Sequence, residues 1–248
     1  MQRNRDLVWD GLLNVRDLGG HPTEDGGETR WGSIVRADSV RQLTDAGWRA
    51  LVDYGVRTVV DLRTERELEA DPPAELPVEV VHVPFLEDDE AVFAEADAAS
   101  ASAPDVATAT RDVYLIFLER FHENVVAAFK AVANAPEGAV VVHCMGGKDR
   151  TGLLTAFLLR LAGVPIDEVA GDYALSEERL RPRHESWFAA ATDPEELARL
   201  QRIASTPAES MLGVLEELER RYGGVAAYLR AGGATDEELE QARARLRD

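Results

Sequence analysis

Residues 139–163, AVVVHCMGGKDRTGLLTAFLLRLAG, constrain the fold more than any other stretch of the 248-residue chain. Ala139 to Val142 form an apolar run without alternation, the pattern of a central strand covered on both faces. After a glycine-rich turn, RTGLLTAFLLRLAG continues as a strongly apolar helix. Gly163 suits the position just past its end, and Pro165 stops any continuation. A buried strand that turns directly into a buried helix is the core unit of an α/β sheet.

The flanking sequence extends that unit. The spacing of Trp48, Leu51 and Val52 predicts a helix over about 45–54, with Thr44 as N-cap and Gly55 beyond its end. VRTVVDLR reads as a mostly buried strand through Val56, Val59, Val60 and Leu62, left by the charged TERELEAD. VEVVHVPF alternates as a further strand ended by Pro84. Residues 1–33 read as an irregular entry, with turns at Gly19-Gly20 and Gly26-Gly27. Residues 87–109 shift to Ala, Ser, Asp and Glu, which predicts a flexible excursion or a weakly packed helical lid. One long helix is expected over about 111–135, and the last third reads as helical, with a Thr235-x-x-Glu238 capping box opening the final helix. The expectation is an α/β fold: a central, mostly parallel sheet flanked by helices, with a helical C-terminal part over 172–248. Residues 1–248 read as one domain, long enough for one sizeable core.

Composition narrows the function. A formal charge of −19 argues against non-specific binding to nucleic acid or to an anionic membrane, both of which want a basic face. No apolar run approaches the ~20 residues of a membrane span, and the N-terminus has early arginines but no signal-peptide core. A single cysteine excludes an intramolecular disulfide and suits a reducing compartment. A cytoplasmic protein with no stable membrane association is expected.

That one cysteine, Cys144, stands at the C-terminal edge of the central strand, where open α/β folds bind ligands. An inert thiol would need neither the glycines nor the cations after it. Met145, Gly146, Gly147, Lys148 and Asp149 can wrap into a nest of inward amides, and Gly146 and Gly147 allow the backbone to approach closely. The next helix aims its positive end at the same point. Arg150 offers a fork for two phosphate oxygens, and Thr151 a hydroxyl for the thiolate. Lys148 can recruit a second phosphate. The whole is a nucleophile in an anion cradle, suited to phosphoryl transfer through a phosphocysteine.

A leaving alkoxide or phenolate needs a proton. The carboxylates in reach are Asp149, inside the loop, and Asp61, at the end of a strand leading to the same edge. Asp88 and Asp89 come third. Arg16 and Asp17 read as an ion-paired brace, and His143 as a buttress that reaches Cys144 through its ring. Walker-type nucleotide binding fails, because Asp149 follows Lys148 and Val142 replaces the first glycine. His21, His82, His122, His143 and His184 show no zinc spacing, so neither metal nor cofactor is expected. A sulfurtransferase or arsenate reductase using the same thiol, or a phosphoprotein-binding module, stays open on the residues alone.

HCMGGKDRTG resembles the phosphate-binding loop of the cysteine-dependent protein tyrosine phosphatases. Its Gly-Lys-Asp-Arg-Thr-Gly form is similar to that of the atypical bacterial tyrosine/serine phosphatase branch. NVRDLGG (residues 14–20), VVDLRTERE (59–67), DYALS (172–176) and YGGVAAYLR (222–230) resemble further blocks of that branch, so the likeness covers nearly the whole chain. It implies a metal-independent enzyme acting on phosphotyrosine, often on phosphoserine or phosphothreonine, and in some members on phosphoinositides. It also implies a catalytic role for Asp149.

Overall fold

The computed structural model of the chain describes residues 4–71 and 77–247; the rest of the expected 1–248 domain lies outside the described residues. Its elements run β1 (Arg16–Asp17), β2 (Ile34–Ala37), a 3-10 turn (Val40–Gln42), α1 (Asp45–Asp53), β3 (Val56–Asp61), α2 (Glu65–Ala70) and β4 (Glu79–His82). There follow α3 (Glu90–Ser102), α4 (Val106–Arg120), α5 (His122–Ala133), β5 (Ala139–His143) and α6 (Asp149–Leu161). The chain ends with α7 (Ile166–Ala190), α8 (Pro194–Ala204), α9 (Ala208–Tyr222), α10 (Val225–Ala231) and α11 (Asp236–Leu246). The sheet order is β1-β2-β5-β3-β4. β2, β5, β3 and β4 run parallel, and β1 joins β2 antiparallel. This is an α/β fold with a mixed, mostly parallel sheet flanked by helices.

The valines of β5 explain its central place. Val140 and Val142 face one core, with Phe129, Leu154 and Phe157, whereas Ala139 and Val141 face a second one with Leu51 and Trp9. A strand with no polar face belongs inside a sheet, and parallel pairing on both sides supplies its backbone partners. Capping follows local chemistry: the Thr44 hydroxyl accepts the Gly47 amide, and Thr235 and Glu238 form their reciprocal box. Gly163, at φ +83, closes α6 as anticipated.

Two features differ from expectation, and one open alternative is decided. The helix over 111–135 is two, α4 and α5, which part at Phe121 (φ −111, ψ 32). α4 packs against α3 and α9, and α5 against α6, α11 and β3; a single straight axis could not serve both sets of neighbours. β1 and β2 were hidden because each carries a buried arginine, Arg16 or Arg36. Within 87–109, Asp89 caps α3, whose Val92 and Ala96 are buried and whose Phe93 meets Phe117 edge-on at 5.8 Å. Of the two alternatives for 87–109, the described residues show the helical one: α3 and the start of α4.

Phe157, fully buried on α6, meets Tyr228 edge-on at 5.6 Å. Phe157→Ala is expected to cost roughly 3–5 kcal/mol in guanidinium unfolding, as core aromatic deletions do. A loss below about 1 kcal/mol would contradict this packing.

Candidate active site

β5 delivers Cys144, 2% exposed, to the sheet edge, and the chain then turns through 145–148 into α6. The two glycines are not equivalent. Gly147 has φ +62, and a Cβ there would lie 2.3 Å from the Ala37 carbonyl oxygen, so only glycine fits. A Cβ on Gly146 would meet Leu180 and Lys148 side chains at ordinary van der Waals distance. The turn thus crosses directly over the end of β2. Its carbonyls are held from outside. The Ser39 amide donates to the Met145 oxygen at 3.1 Å, and Asn14 Nδ2 donates to Gly146 and Gly147 oxygens at 3.0 and 3.1 Å. Arg36 Nη2 also reaches the Gly147 oxygen, at 2.8 Å.

Arg150, one residue into α6, makes a two-pronged pair with Glu67: Nη1 to Oε2, and Nη2 to Oε1 at 2.8 Å. Glu67 belongs to the capping box of α2, where Oε2 also accepts the Thr64 amide at 2.8 Å. Burial disfavours the Arg150 charge, but the Glu67 hydrogen bonds and the negative ends of Cys144 and Glu67 outweigh it and raise the pKa. Burial likewise works against the Glu67 carboxylate, and Arg150 holds it below its usual range.

Asp149, about half exposed at its side chain, accepts a hydrogen bond from the Tyr114 hydroxyl at 2.5 Å. The Lys148 ammonium stands 3.4 Å from the same oxygen, and Tyr173 completes a pair with Tyr114 at 2.9 Å. Burial first, then the Asp149 charge, drives the Tyr114 phenol well above its ordinary pKa, so it is a donor throughout. Lys148 also donates to the Ile203 carbonyl near the end of α8, tying the loop to the helical C-terminal part. Beside Asp149 and Arg150 opens a cavity of about 550 Å³, walled by Phe85, Leu86, Phe93, Val113, Tyr114 and Phe117, with Arg66, Glu67 and Asp88 also lining it.

Asp61 stands elsewhere. It is 3% exposed, and Arg63 grips it through Nε at 3.0 Å and Nη2 at 2.8 Å. Burial raises its pKa, but the Arg63 hydrogen bonds and His143 hold it below the usual carboxylate value. His143 is fully buried; its Nδ1 lies 3.1 Å from the Cys144 carbonyl oxygen and its Nε2 3.6 Å from Asp61. Burial lowers the His143 pKa despite Asp61. Asp88 accepts the Arg66 amide at 3.1 Å, and Asp89 caps α3. The Thr151 hydroxyl is buried with no hydrogen-bond partner among the described residues.

One anticipated pairing is corrected. Arg16 and Asp17 do not brace each other. Arg16 binds Asp172 at 2.9 Å and Asn14 Oδ1 at 2.6 Å, whereas Asp17 accepts the Gly19 and Gly32 amides and the Tyr54 hydroxyl. Adjacent strand residues point to opposite faces, so they cannot share a partner. Asn14, Glu67 and Asp172 lie in the blocks NVRDLGG, DLRTERE and DYALS, whereas Arg36 and Tyr114 lie outside them and carry no local signal of a place at the site. No described group of His, Cys, Asp and Glu is arranged to hold a metal ion, and no described helix is long and apolar enough to cross a membrane.

Cys144 at the end of a central parallel strand, a glycine turn clamped from outside, and Arg150 in the first turn of the next helix meet at one edge of an α/β sheet. The chain belongs to the tyrosine phosphatase family, whose profile matches residues 7–248. Homology thus places it among the protein-tyrosine phosphatases. It is 30% identical to a tyrosine-protein phosphatase of Nostoc commune, across 86% of this chain and 74% of that one. It is 27% identical to the triple specificity protein phosphatase PtpB of Mycobacterium tuberculosis, across 94% and 96% respectively.

Two measurements probe the geometry. Gly147→Ala is expected to destabilise by about 1–3 kcal/mol through backbone strain, plus the clash with Ala37, and Gly146→Ala by far less in the same thermal-unfolding assay. Equal shifts would mean the loop does not cross β2 as described. For Asp61, a depressed native pKa contributes stability that is complete above its unfolded value of about 3.9 and is lost as pH falls through the lower native value. The stability gap between wild type and Asp61→Asn is therefore expected to be full at pH 6 and to close in acid. A gap that widens in acid would reverse the assignment.

Proposed function

We propose that the protein is a metal-independent phosphomonoesterase that removes phosphate from tyrosine residues through a phosphocysteine intermediate. The observation that carries this reading is the aromatic cavity opening beside Arg150 and Asp149, next to the loop that starts at Cys144. A phenyl ring fits between Phe85, Phe93, Tyr114 and Phe117, and its ester oxygen would then meet Asp149.

The Cys144 sulfur attacks phosphorus as the P–O ester bond breaks, and Asp149 gives its proton to the leaving oxygen. The loop amides from Met145 to Thr151 and the Arg150 fork hold the three equatorial oxygens. Arg150 keeps one edge on Glu67 and has donors left for phosphate, because guanidinium carries five N–H groups. Water then attacks the phosphocysteine, Asp149 takes its proton, and the P–S bond breaks to release phosphate and the thiolate. The partnerless Thr151 hydroxyl supports a role as donor to that thiolate. Charge on phosphorus oxygens is met by Arg150 and the amides, so no metal is required. Asp61 serves the scaffold by fixing Arg63 and His143.

Phosphoserine, phosphothreonine and phosphoinositides are the further substrates we assign. The support is the triple specificity for which the mycobacterial relative is named and Lys148, which would offer a second cation once released from Ile203. The helices after Asp172 act as a cover, since Leu180 reaches toward Gly146 and α8 holds Lys148. A cytoplasmic location and phosphorylated proteins as partners belong to the same reading, since a single cysteine suits a reducing compartment.

The test is p-nitrophenyl phosphate turnover in excess chelator at mildly acidic pH. Turnover is expected to persist with chelator and to vanish in Cys144→Ser. Asp149→Asn is expected to slow alkyl phosphates by about 10²–10⁴ and activated aryl phosphates far less, the signature of a general acid. Activity lost to chelator alone, or retained by Cys144→Ser, overturns the mechanism.

A further inference from the structure

Arg36 is an anomaly in its own strand. β2 reads Ile-Val-Arg-Ala, is paired with β1 on one side and β5 on the other, and leaves Arg36 only 1% exposed opposite Val142. A buried guanidinium costs several kcal/mol of desolvation unless every donor finds a partner. Here the two terminal nitrogens have specific partners, whereas the buried Nε has none among the described residues. Nη1 donates to Asp172 Oδ2 at 2.7 Å, and Nη2 donates to the Gly147 carbonyl at 2.8 Å. Asp172, on α7, also takes Arg16 at 2.9 Å. Arg16 in turn donates to Asn14 Oδ1, which leaves the Asn14 NH2 facing the loop.

The consequence lies in peptide geometry. The carbonyls of Met145, Gly146 and Gly147 are bonded outward by Ser39, by Asn14, and by Asn14 with Arg36. In a trans peptide the C=O and the following N–H point in opposite directions, and no described peptide bond is cis. Clamping three successive oxygens from outside therefore turns the amides of Gly146, Gly147 and Lys148 to the inner side of the turn. Two of those clamps converge on Gly147, the residue whose left-handed backbone lets the loop cross β2. The cluster also leaves Arg16 and Arg36 against one carboxylate, a local positive excess in a chain of net charge −19.

We propose that Arg36, locked by Asp172, is a positioning residue for phosphate binding: it pins the Gly147 carbonyl so that the loop amides face the transferring phosphoryl group. This rests on the phosphatase reading for its catalytic consequence, but the anion-binding consequence stands apart from turnover. Arg36 touches no substrate. Its effect travels through one peptide plane.

The experiment compares wild type, Arg36→Lys and Asn14→Asp. Lysine keeps the charge but lacks the planar fork that spans Asp172 and Gly147. Aspartate keeps the shape of Asn14 but turns an acceptor toward two carbonyls. Each protein is assayed for kcat and KM with p-nitrophenyl phosphate, for vanadate inhibition, and for thermal unfolding. Inorganic phosphate affinity is measured by calorimetry in the Cys144→Ser background, with and without each change. Both variants are expected to lose at least tenfold in kcat/KM and in vanadate and phosphate affinity, since one misaimed oxyanion donor costs about 10²–10³. Folded variants whose kcat, vanadate and phosphate affinities stay within twofold of wild type would overturn the proposal. If Arg36→Lys does not fold, Asn14→Asp decides. Absence of turnover in wild type would defeat the phosphatase reading alone, and phosphate affinity would still judge the brace. No phosphate binding by Cys144→Ser itself would defeat both.

Discussion

Asp172 stands between two buried guanidinium groups, and much of the site hangs on that arrangement. Its carboxylate is reached from β1 by Arg16 and from β2 by Arg36, while the residue itself belongs to α7. Burial opposes its charge, but the two arginines hold its pKa well below the ordinary range. Arg16 bears the converse: burial, then the Arg36 charge, pulls it down to about 9 despite Asp172. Such a cluster is weak evidence for net stability, because desolvation offsets most of the attraction. Its value is geometric. It joins the N-terminal strands, the loop and the long helix at one point that tolerates little displacement.

The loop is gripped from a second direction by Glu67. There the helix-capping device of α2 doubles as the seat of Arg150, so a local folding motif sets the position of a guanidinium 83 residues away. Between the two grips, the Tyr114–Tyr173 pair supports Asp149. The chain is strongly acidic as a whole, yet Lys148 and Arg150 stand in the turn and the helix start, Arg36 reaches the Gly147 carbonyl, and Arg16 acts on it through Asn14. Local geometry, with low-dielectric surroundings, decides what an anion meets there.

Legibility varied with the range of the interactions involved. Thr44, Gly163 and the Thr235–Glu238 box were readable because a cap is a contact within a few residues. The apolar runs of β3 and β5 were readable because both faces of each strand are buried. β1 and β2 were not, since a strand built around Arg16 or Arg36 has no hydrophobic period to detect. TERELEAD looked like a solvated charge run; Thr64-x-x-Glu67 has the same capping-box pattern as Thr235-x-x-Glu238, but nothing local shows that Glu67 also seats Arg150. The break at Phe121 was equally hidden: no glycine or proline marks it, and only the separate neighbours of α4 and α5 require the turn.

The sequence by itself determined the buried strand, the cysteine at its end, the glycine-rich turn and the helix with Arg150 in its first turn. Those follow from hydrophobic period, capping and backbone sterics, all of which act over a dozen residues or fewer. Only the tertiary structure decided which carboxylate faces the aromatic cavity and which is locked to an arginine. Tyr114 and Asp149 are 35 residues apart, Glu67 and Arg150 are 83, and Arg36 and Asp172 are 136. Two carboxylates of the same kind acquire different environments because burial and partner charge are set by segments that meet only once the sheet has closed.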